Sequence, residues 1–75
     1  MSKSHSYKKS TVVLYIFHLL LEGRILTIKG LHYELELPKN TLYKYIMDID
    51  IFIDEFHLYG YYELIKELDQ IKLKK

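Results

Sequence analysis

The chain has 75 residues, 49% of them hydrophobic and 28% charged, which is the balance of one small globular domain. It has no cysteine, which excludes a disulfide-stapled scaffold and thiolate metal sites and favours the cytoplasm. The formal net charge of +1 gives no support of its own to nucleic-acid binding, although lysines cluster near both ends of the chain and acidic residues in its middle.

The N-terminal segment 1–9 is rich in serine and lysine and predicts a flexible basic arm, which leaves 10–75 as the folded domain. Ser10 or Thr11 is expected to cap a first helix, and Gly23 to end it. The apolar run 12–21 is too short to span a membrane, so no membrane partner is expected. The positions at helical spacing that predict the inner face of this helix are Val13, Leu14, Phe17, Leu20 and Leu21.

After a short extended connector, Thr27 is a good N-cap for a second helix. Its predicted inner face carries Ile28, Leu31 and Leu35. Gly30 costs about 1 kcal/mol inside a helix, so we expect a neighbouring helix to cross closely at that point.

The stretch from Glu36 to Pro38 predicts a tight break, because proline cannot donate within a helix but suits its first turn. A third helix is therefore expected to start at Lys39 and to run to about Phe56. Its predicted inner stripe consists of Leu42, Ile46, Ile49, Ile53 and Phe56.

The C-terminal segment after Gly60 has two interpretations. Tyr61–Lys66 and Ile71–Lys74 can be two strands joined by a turn at Glu67–Gln70. The same segment can be a helix, because its apolar residues also recur every three or four positions and the proposed turn has no Gly, Pro or Asn. The spacing alone does not decide between a hairpin and a fourth C-terminal helix.

Two helices around a short turn are the arrangement of a helix-turn-helix. In such motifs the start of the second helix enters the major groove of DNA. Lysines there can neutralise phosphates or donate to guanine, asparagine can pair with adenine, threonine can bind a phosphate and tyrosine can pack on sugar or thymine methyl. The candidate DNA-binding residues are Lys39, Asn40, Thr41, Tyr43 and Lys44.

The stretch 24–49, RILTIKGLHYELELPKNTLYKYIMDI, resembles the winged helix-turn-helix of bacterial DeoR-type and Mga-type regulators. Thr41-Leu42 and Ile46 match the Thr-Val and Ile of the recognition-helix pattern, and Leu31 and Leu35 match the preceding helix. The resemblance implies a mainly α fold of three helices with a small β-hairpin as the wing, and it favours the hairpin at the C-terminus. It also implies a small bacterial or phage transcriptional regulator that binds double-stranded DNA.

The residues do not predict an enzyme, a cofactor or a metal site. The histidines lack the i, i+4 pairing with a carboxylate that a zinc-binding helix needs; they are His5, His18, His32 and His57. The acidic residues of the third helix are better explained as a solvated face than as catalytic carboxylates; they are Asp48, Asp50, Asp54 and Glu55. No glycine loop or nucleophile setting is present in the sequence.

The sequence is therefore compatible with two functions from different classes. The first is a DNA-binding regulator that acts as a homodimer, since two recognition helices would supply affinity that one weakly basic module lacks. The second is a protein-interaction module of phage or mobile-element origin that binds and inhibits a host protein with the same fold. Near-neutral charge and an excess of apolar residues favour the second.

Overall fold

The computed structural model describes residues 7–75, which form three helices and one three-stranded antiparallel sheet. In chain order the elements are α1 (Lys9–Leu21), β1 (Leu26–Thr27), α2 (Ile28–Leu35), α3 (Lys39–Glu55), β2 (Glu63–Glu67) and β3 (Gln70–Lys74). The segment that could be a hairpin or a fourth helix is a hairpin, so the prediction of a mainly helical chain with a small hairpin is confirmed. Positions 1–6 of the predicted arm lie outside the described residues.

Helix α1 departs from its predicted start and orientation. It begins at Lys9 with Lys8 as the N-cap and no side-chain capping bond, so the expected caps Ser10 and Thr11 are wrong. Of the predicted inner positions only Leu20 is fully buried, and Leu14 is 66% exposed. The reason is that α1 is apolar on nearly every face, so spacing alone could not fix its rotation. Its buried residues are Val12, Ile16, Leu19 and Leu20.

The end of α1 follows the prediction. Gly23 has a φ of +86°, and its N–H donates to the Leu20 carbonyl at 3.0 Å. The Arg24 N–H donates to the Leu19 carbonyl at 3.3 Å. These two bonds form a Schellman motif, in which glycine takes the left-handed position without a Cβ penalty.

Helix α2 begins as predicted, with the Thr27 side chain accepting from the Gly30 N–H at 2.9 Å. Ile28 and Leu31 are buried, whereas Leu35 is half-buried. The expected reason for Gly30 is wrong. A Cβ at that position would meet the Thr27 Oγ1 at 2.8 Å, so the capping hydroxyl and not a crossing helix occupies the space.

Helix α3 carries its predicted stripe at four of five positions: Leu42, Ile46, Ile49 and Ile53 are buried. The fifth, Phe56, is wrong as a core residue, because it follows the last helical residue and is 65% exposed. Polar and charged residues such as Asn40, Lys44 and Glu55 lie opposite this stripe, so the rotation of the helix could be predicted from the sequence, although Met47 and Ile51 are apolar and exposed outside it.

One core joins the helices to the sheet. Phe17 of α1 packs edge-on against Phe52 of α3 at 5.6 Å between ring centroids, and against Tyr62 at 5.9 Å. Ile71 and Leu73 of β3 complete the core from the sheet side. Among residues 7–75 no helix is long and apolar enough to cross a membrane.

The sheet is built around β3, which pairs with β1 on one side and β2 on the other, both antiparallel. The hairpin is tighter than predicted, because Glu67 and Gln70 are themselves paired and only two residues form the turn. Leu26 and Thr27 of β1 pair with Ile71 and Gln70. The residue pair just before α2 therefore lies directly beside the hairpin turn.

Leu68 occupies the hairpin turn with a φ of +54° and a fully exposed side chain. A left-handed conformation costs an L-residue about 1–2 kcal/mol, and no packing of this side chain offsets that cost. We expect Leu68→Gly to raise the free energy of unfolding by about 1 kcal/mol, measured by urea unfolding. Leu68→Ala is the control and should gain much less, because alanine keeps the Cβ. Equal stabilisation by both variants would show that the backbone strain is not the cause.

Candidate nucleic-acid interface

The candidate interface is organised by the turn between α2 and α3. Glu36 leaves α2 in the left-handed conformation, with a φ of 56°, and Pro38 stands in extended backbone at the N-cap of α3. The Pro38 carbonyl accepts from the Leu42 N–H at 3.1 Å and so joins the first helical turn. The break lies at the positions that the sequence predicts.

His32 fastens this turn. Its ring Nδ1 lies 2.6 Å from the carbonyl oxygen of Leu37, five residues later. A carbonyl can only accept, so Nδ1 carries the hydrogen and donates it. The ring is half-buried and lies 5.5 Å from the ring of Tyr33. This bond ties the last turn of α2 to the backbone that leads into α3.

The structure brings four of the five candidate side chains onto one exposed face of α3. Lys39 and Tyr43 are one helical turn apart, and so are Asn40 and Lys44, and all four are exposed. Tyr43 is 53% exposed, which makes its ring accessible. Thr41 is half-buried and lies at the edge of this face, next to Lys44 three residues later.

The side chain of Asn40 is hydrogen-bonded to the backbone of its own helix. Its Oδ1 accepts from the Thr41 N–H at 3.0 Å, one of the amides at the helix start that has no partner within the helix. The oxygen is therefore engaged, while the side-chain NH₂ group makes no bond to another described residue. A bidentate contact with adenine uses both groups, so Asn40 would have to share its oxygen with the base or exchange the amide bond.

Two acidic residues of α3 are neutralised by lysines from other elements. Lys9 Nζ of α1 lies 2.8 Å from Asp48 Oδ2, and Lys66 Nζ of β2 lies 2.8 Å from Asp50 Oδ2. The hydrogen bond with Asp48, followed by its charge, raises the pKa of Lys9. These pairs are solvent-exposed and contribute little to stability, but they cancel negative charge in the middle of α3. Asp54 and Glu55 remain exposed at the far end of the helix.

The hairpin turn is attached to the start of α2. The Asp69 carbonyl accepts from the Ile28 N–H at 3.0 Å, and Asp69 Oδ2 accepts from the backbone N–H of Lys29 at 3.3 Å. Together with Thr27 these groups satisfy three of the free amides at the helix start, and the carboxylate suits the positive end of the helix dipole. The hairpin is therefore held against α2 at its tip.

Sequence reasoning did not include Met47 in the interface. It lies one turn after Tyr43 on the same helix and is 57% exposed, so the exposed face continues through it. The i, i+4 spacing from Tyr43 was the available signal. The lysine that pairs with Asp50 could not be foreseen, because Lys66 belongs to a different element sixteen residues later.

Among residues 7–75, no group of three or more His, Cys, Asp or Glu side chains is placed to hold a metal ion. No known protein family, no curated protein and no solved structure matches the chain. The resemblance to DeoR-type and Mga-type regulators stays a prediction from the residues of the stretch 24–49.

Proposed function

We propose that the chain is a winged helix-turn-helix domain that binds double-stranded DNA as a small transcriptional regulator. In this proposal α2 and α3 are the helix-turn-helix, α3 enters the major groove with its first turns, and the β2–β3 hairpin is the wing. The observation that carries the proposal is the exposed face formed by Lys39, Asn40, Tyr43 and Lys44 at the start of α3.

Three further features support it. The α2–α3 turn is fixed by the His32 bond to Leu37, so the start of α3 is presented in one orientation. Free amides at the first turn of a helix favour a nearby phosphate. The charges of Asp48 and Asp50 are balanced by lysines, which reduces the repulsion that phosphates would meet along the helix.

We propose that two copies act together on DNA, because two lysines on one helix face give little affinity alone. The competing function is binding to a host protein. The observation that favours it is the exposed apolar surface of α1 and α3, where Leu14, Ile51 and Phe52 are 66%, 45% and 39% exposed. Surfaces of this kind often mark protein contacts.

The salt dependence of binding to random-sequence duplex DNA separates the two functions. If Lys39 and Lys44 each contact a phosphate, a plot of the logarithm of the association constant against the logarithm of the salt concentration should have a slope of about −2. Each phosphate contact adds about −0.9 to this slope. Affinity should then fall about tenfold between about 50 mM and about 200 mM salt. Fluorescence anisotropy of a labelled duplex measures this directly.

The control is Lys75→Ala, which removes a charge that lies beyond the hairpin, where Lys75 Nζ donates to the Leu21 carbonyl at the end of α1. It should leave the slope unchanged, whereas Lys44→Ala should reduce its magnitude by about 1. Absence of binding even at low salt would overturn the DNA-binding proposal and favour the host-protein function.

A further inference from the structure

A cavity of about 360 Å³ lies between the first half of α1 and the last turn of α2. This volume falls within the range of sites that take small molecules. It corresponds to about twelve water molecules of liquid volume, so a ligand of about ten non-hydrogen atoms would fill it. Its walls are formed by Tyr7, Thr11, Val12, Tyr15, Glu34 and Leu35.

The polar feature of the cavity is a carboxylate held by a tyrosine. The Tyr15 hydroxyl donates to Glu34 Oε2 at 2.7 Å. This hydrogen bond is the main reason that the pKa of Tyr15 is raised above its ordinary value, with burial and the charge of Glu34 adding to it. The carboxylate is thereby oriented in the cavity wall, and its second oxygen makes no hydrogen bond to another described residue.

Glu34 has no cation to balance it in the described part of the chain. The ion pairs among residues 7–75 involve other carboxylates. Arg24 is near enough to lower the pKa of Tyr15 slightly, but it forms no ion pair with Glu34. Among residues 7–75, therefore, no ion pair competes with a ligand for the charge of Glu34.

The remaining walls complement an organic cation. Tyr15 contributes ring surface, which attracts cations through the negative face of the ring, and Tyr7 lines the same wall. Val12 and Leu35 contribute aliphatic surface that would cover an alkyl chain. An anion would instead meet the carboxylate and gain nothing from the rings.

From these contacts we propose that the cavity binds a small molecule with a primary ammonium group on a short alkyl chain. The ammonium pairs with Glu34 beside the Tyr15 hydroxyl, and the chain lies against Val12 and Leu35. This inference does not rest on DNA binding, and its test uses no DNA, so the two proposals can fail separately.

The test is a titration of the isotope-labelled full chain, in which binding is measured by NMR from the shifts of the backbone amide resonances. The probes are n-butylammonium, butyrate and butanol, which share a chain of four carbons and differ in charge. We expect butylammonium to bind with a dissociation constant of about 1 mM and to shift amides at the cavity, such as those of Thr11 and Leu35. Butyrate and butanol should bind at least about threefold more weakly, since neither can pair with the exposed Glu34 carboxylate.

The matched variants are Glu34→Gln and Glu55→Gln. Glu34→Gln removes the charge but keeps the shape, and it should weaken butylammonium binding about three- to fivefold, because Glu34 is exposed and an exposed ion pair is screened by solvent. Glu55→Gln makes the same change on the exposed end of α3 and should leave binding unchanged.

The wild-type comparison of the three probes does not depend on any variant folding. Equal shifts from butylammonium and butanol would overturn the proposal, because the carboxylate would then have no part in binding. An absence of shifts at the cavity would overturn it as well, and so would unchanged affinity in a folded Glu34→Gln variant.

Discussion

Replacing Asn40 and Lys44 together with alanine is expected to weaken binding to a cognate duplex by about 100-fold. An asparagine–adenine pair contributes about 1–3 kcal/mol of discrimination, and the lysine adds a phosphate or guanine contact. A loss of about 2.7 kcal/mol corresponds to that factor. Since the target sequence follows from selection of bound DNA from a random pool, anisotropy on the selected duplex measures the effect.

The fold should survive this double change, because both side chains are exposed. Among residues 7–75, the side-chain hydrogen bond lost is that from the Thr41 N–H to Asn40 Oδ1, which contributes about 0.5–1.5 kcal/mol. Asn40→Asp is the matched control, since it keeps an oxygen for the Thr41 amide but removes the donor to a base. It should retain the helical circular dichroism and lose DNA affinity. If the double variant retarded a promoter fragment on a gel as strongly as the wild-type chain, the assignment of α3 to the DNA interface would be wrong.

The sequence predicted α3 and its turn more fully than it predicted α1, and the difference lies in polar residues. In α3 the charged and polar positions mark one face as exposed to solvent, so the opposite stripe of Leu42, Ile46, Ile49 and Ile53 could be assigned to the core, although Met47 and Ile51 are apolar and exposed. In α1 nearly every position from Val12 to Leu21 is apolar, so several rotations fit equally well. Tertiary packing selects the one that buries Ile16 and exposes Leu14.

The sequence did not decide between a hairpin and a helix at the C-terminus, because the contacts that stabilise the hairpin come from other parts of the chain. The positive-φ position of its turn is occupied by Leu68 and not by Gly, Asn or Asp. What compensates is pairing of β3 with β1 and the bonds from Asp69 to the start of α2, about forty residues earlier. Local propensity carries no information about such partners.

The ion pairs of the candidate site were likewise beyond prediction. The acidic residues of α3 were interpreted as a solvated face, and Asp54 and Glu55 are exposed accordingly. Asp48 and Asp50 instead meet Lys9 and Lys66, which come from α1 and β2. The charge of the helix surface thus depends on the tertiary arrangement and could not be obtained from the helix sequence alone.

Leu20→Ala is expected to destabilise the domain by about 2–5 kcal/mol, because Leu20 is fully buried at the centre of the core and its loss leaves a cavity. A domain of this length has a total stability of only about 4–11 kcal/mol, so a large part of it would be lost. Urea unfolding followed by circular dichroism measures the change. Ile16→Val, with an expected cost of about 0.5–1.5 kcal/mol, remains measurable even where Leu20→Ala does not fold.

Leu14→Ala is the matched control, since it makes the same chemical change six residues earlier in the same helix. Because the Leu14 side chain is 66% exposed, Leu14→Ala should change the free energy of unfolding by no more than about 0.5 kcal/mol. A cost equal to that of Leu20→Ala at every protein concentration would mean that α1 is rotated toward the orientation expected from spacing alone. A cost that grows with protein concentration would instead show that a second copy covers Leu14, because association stabilises only the folded state that it binds. The same pair of variants therefore tests both the rotation of α1 and the proposed homodimer.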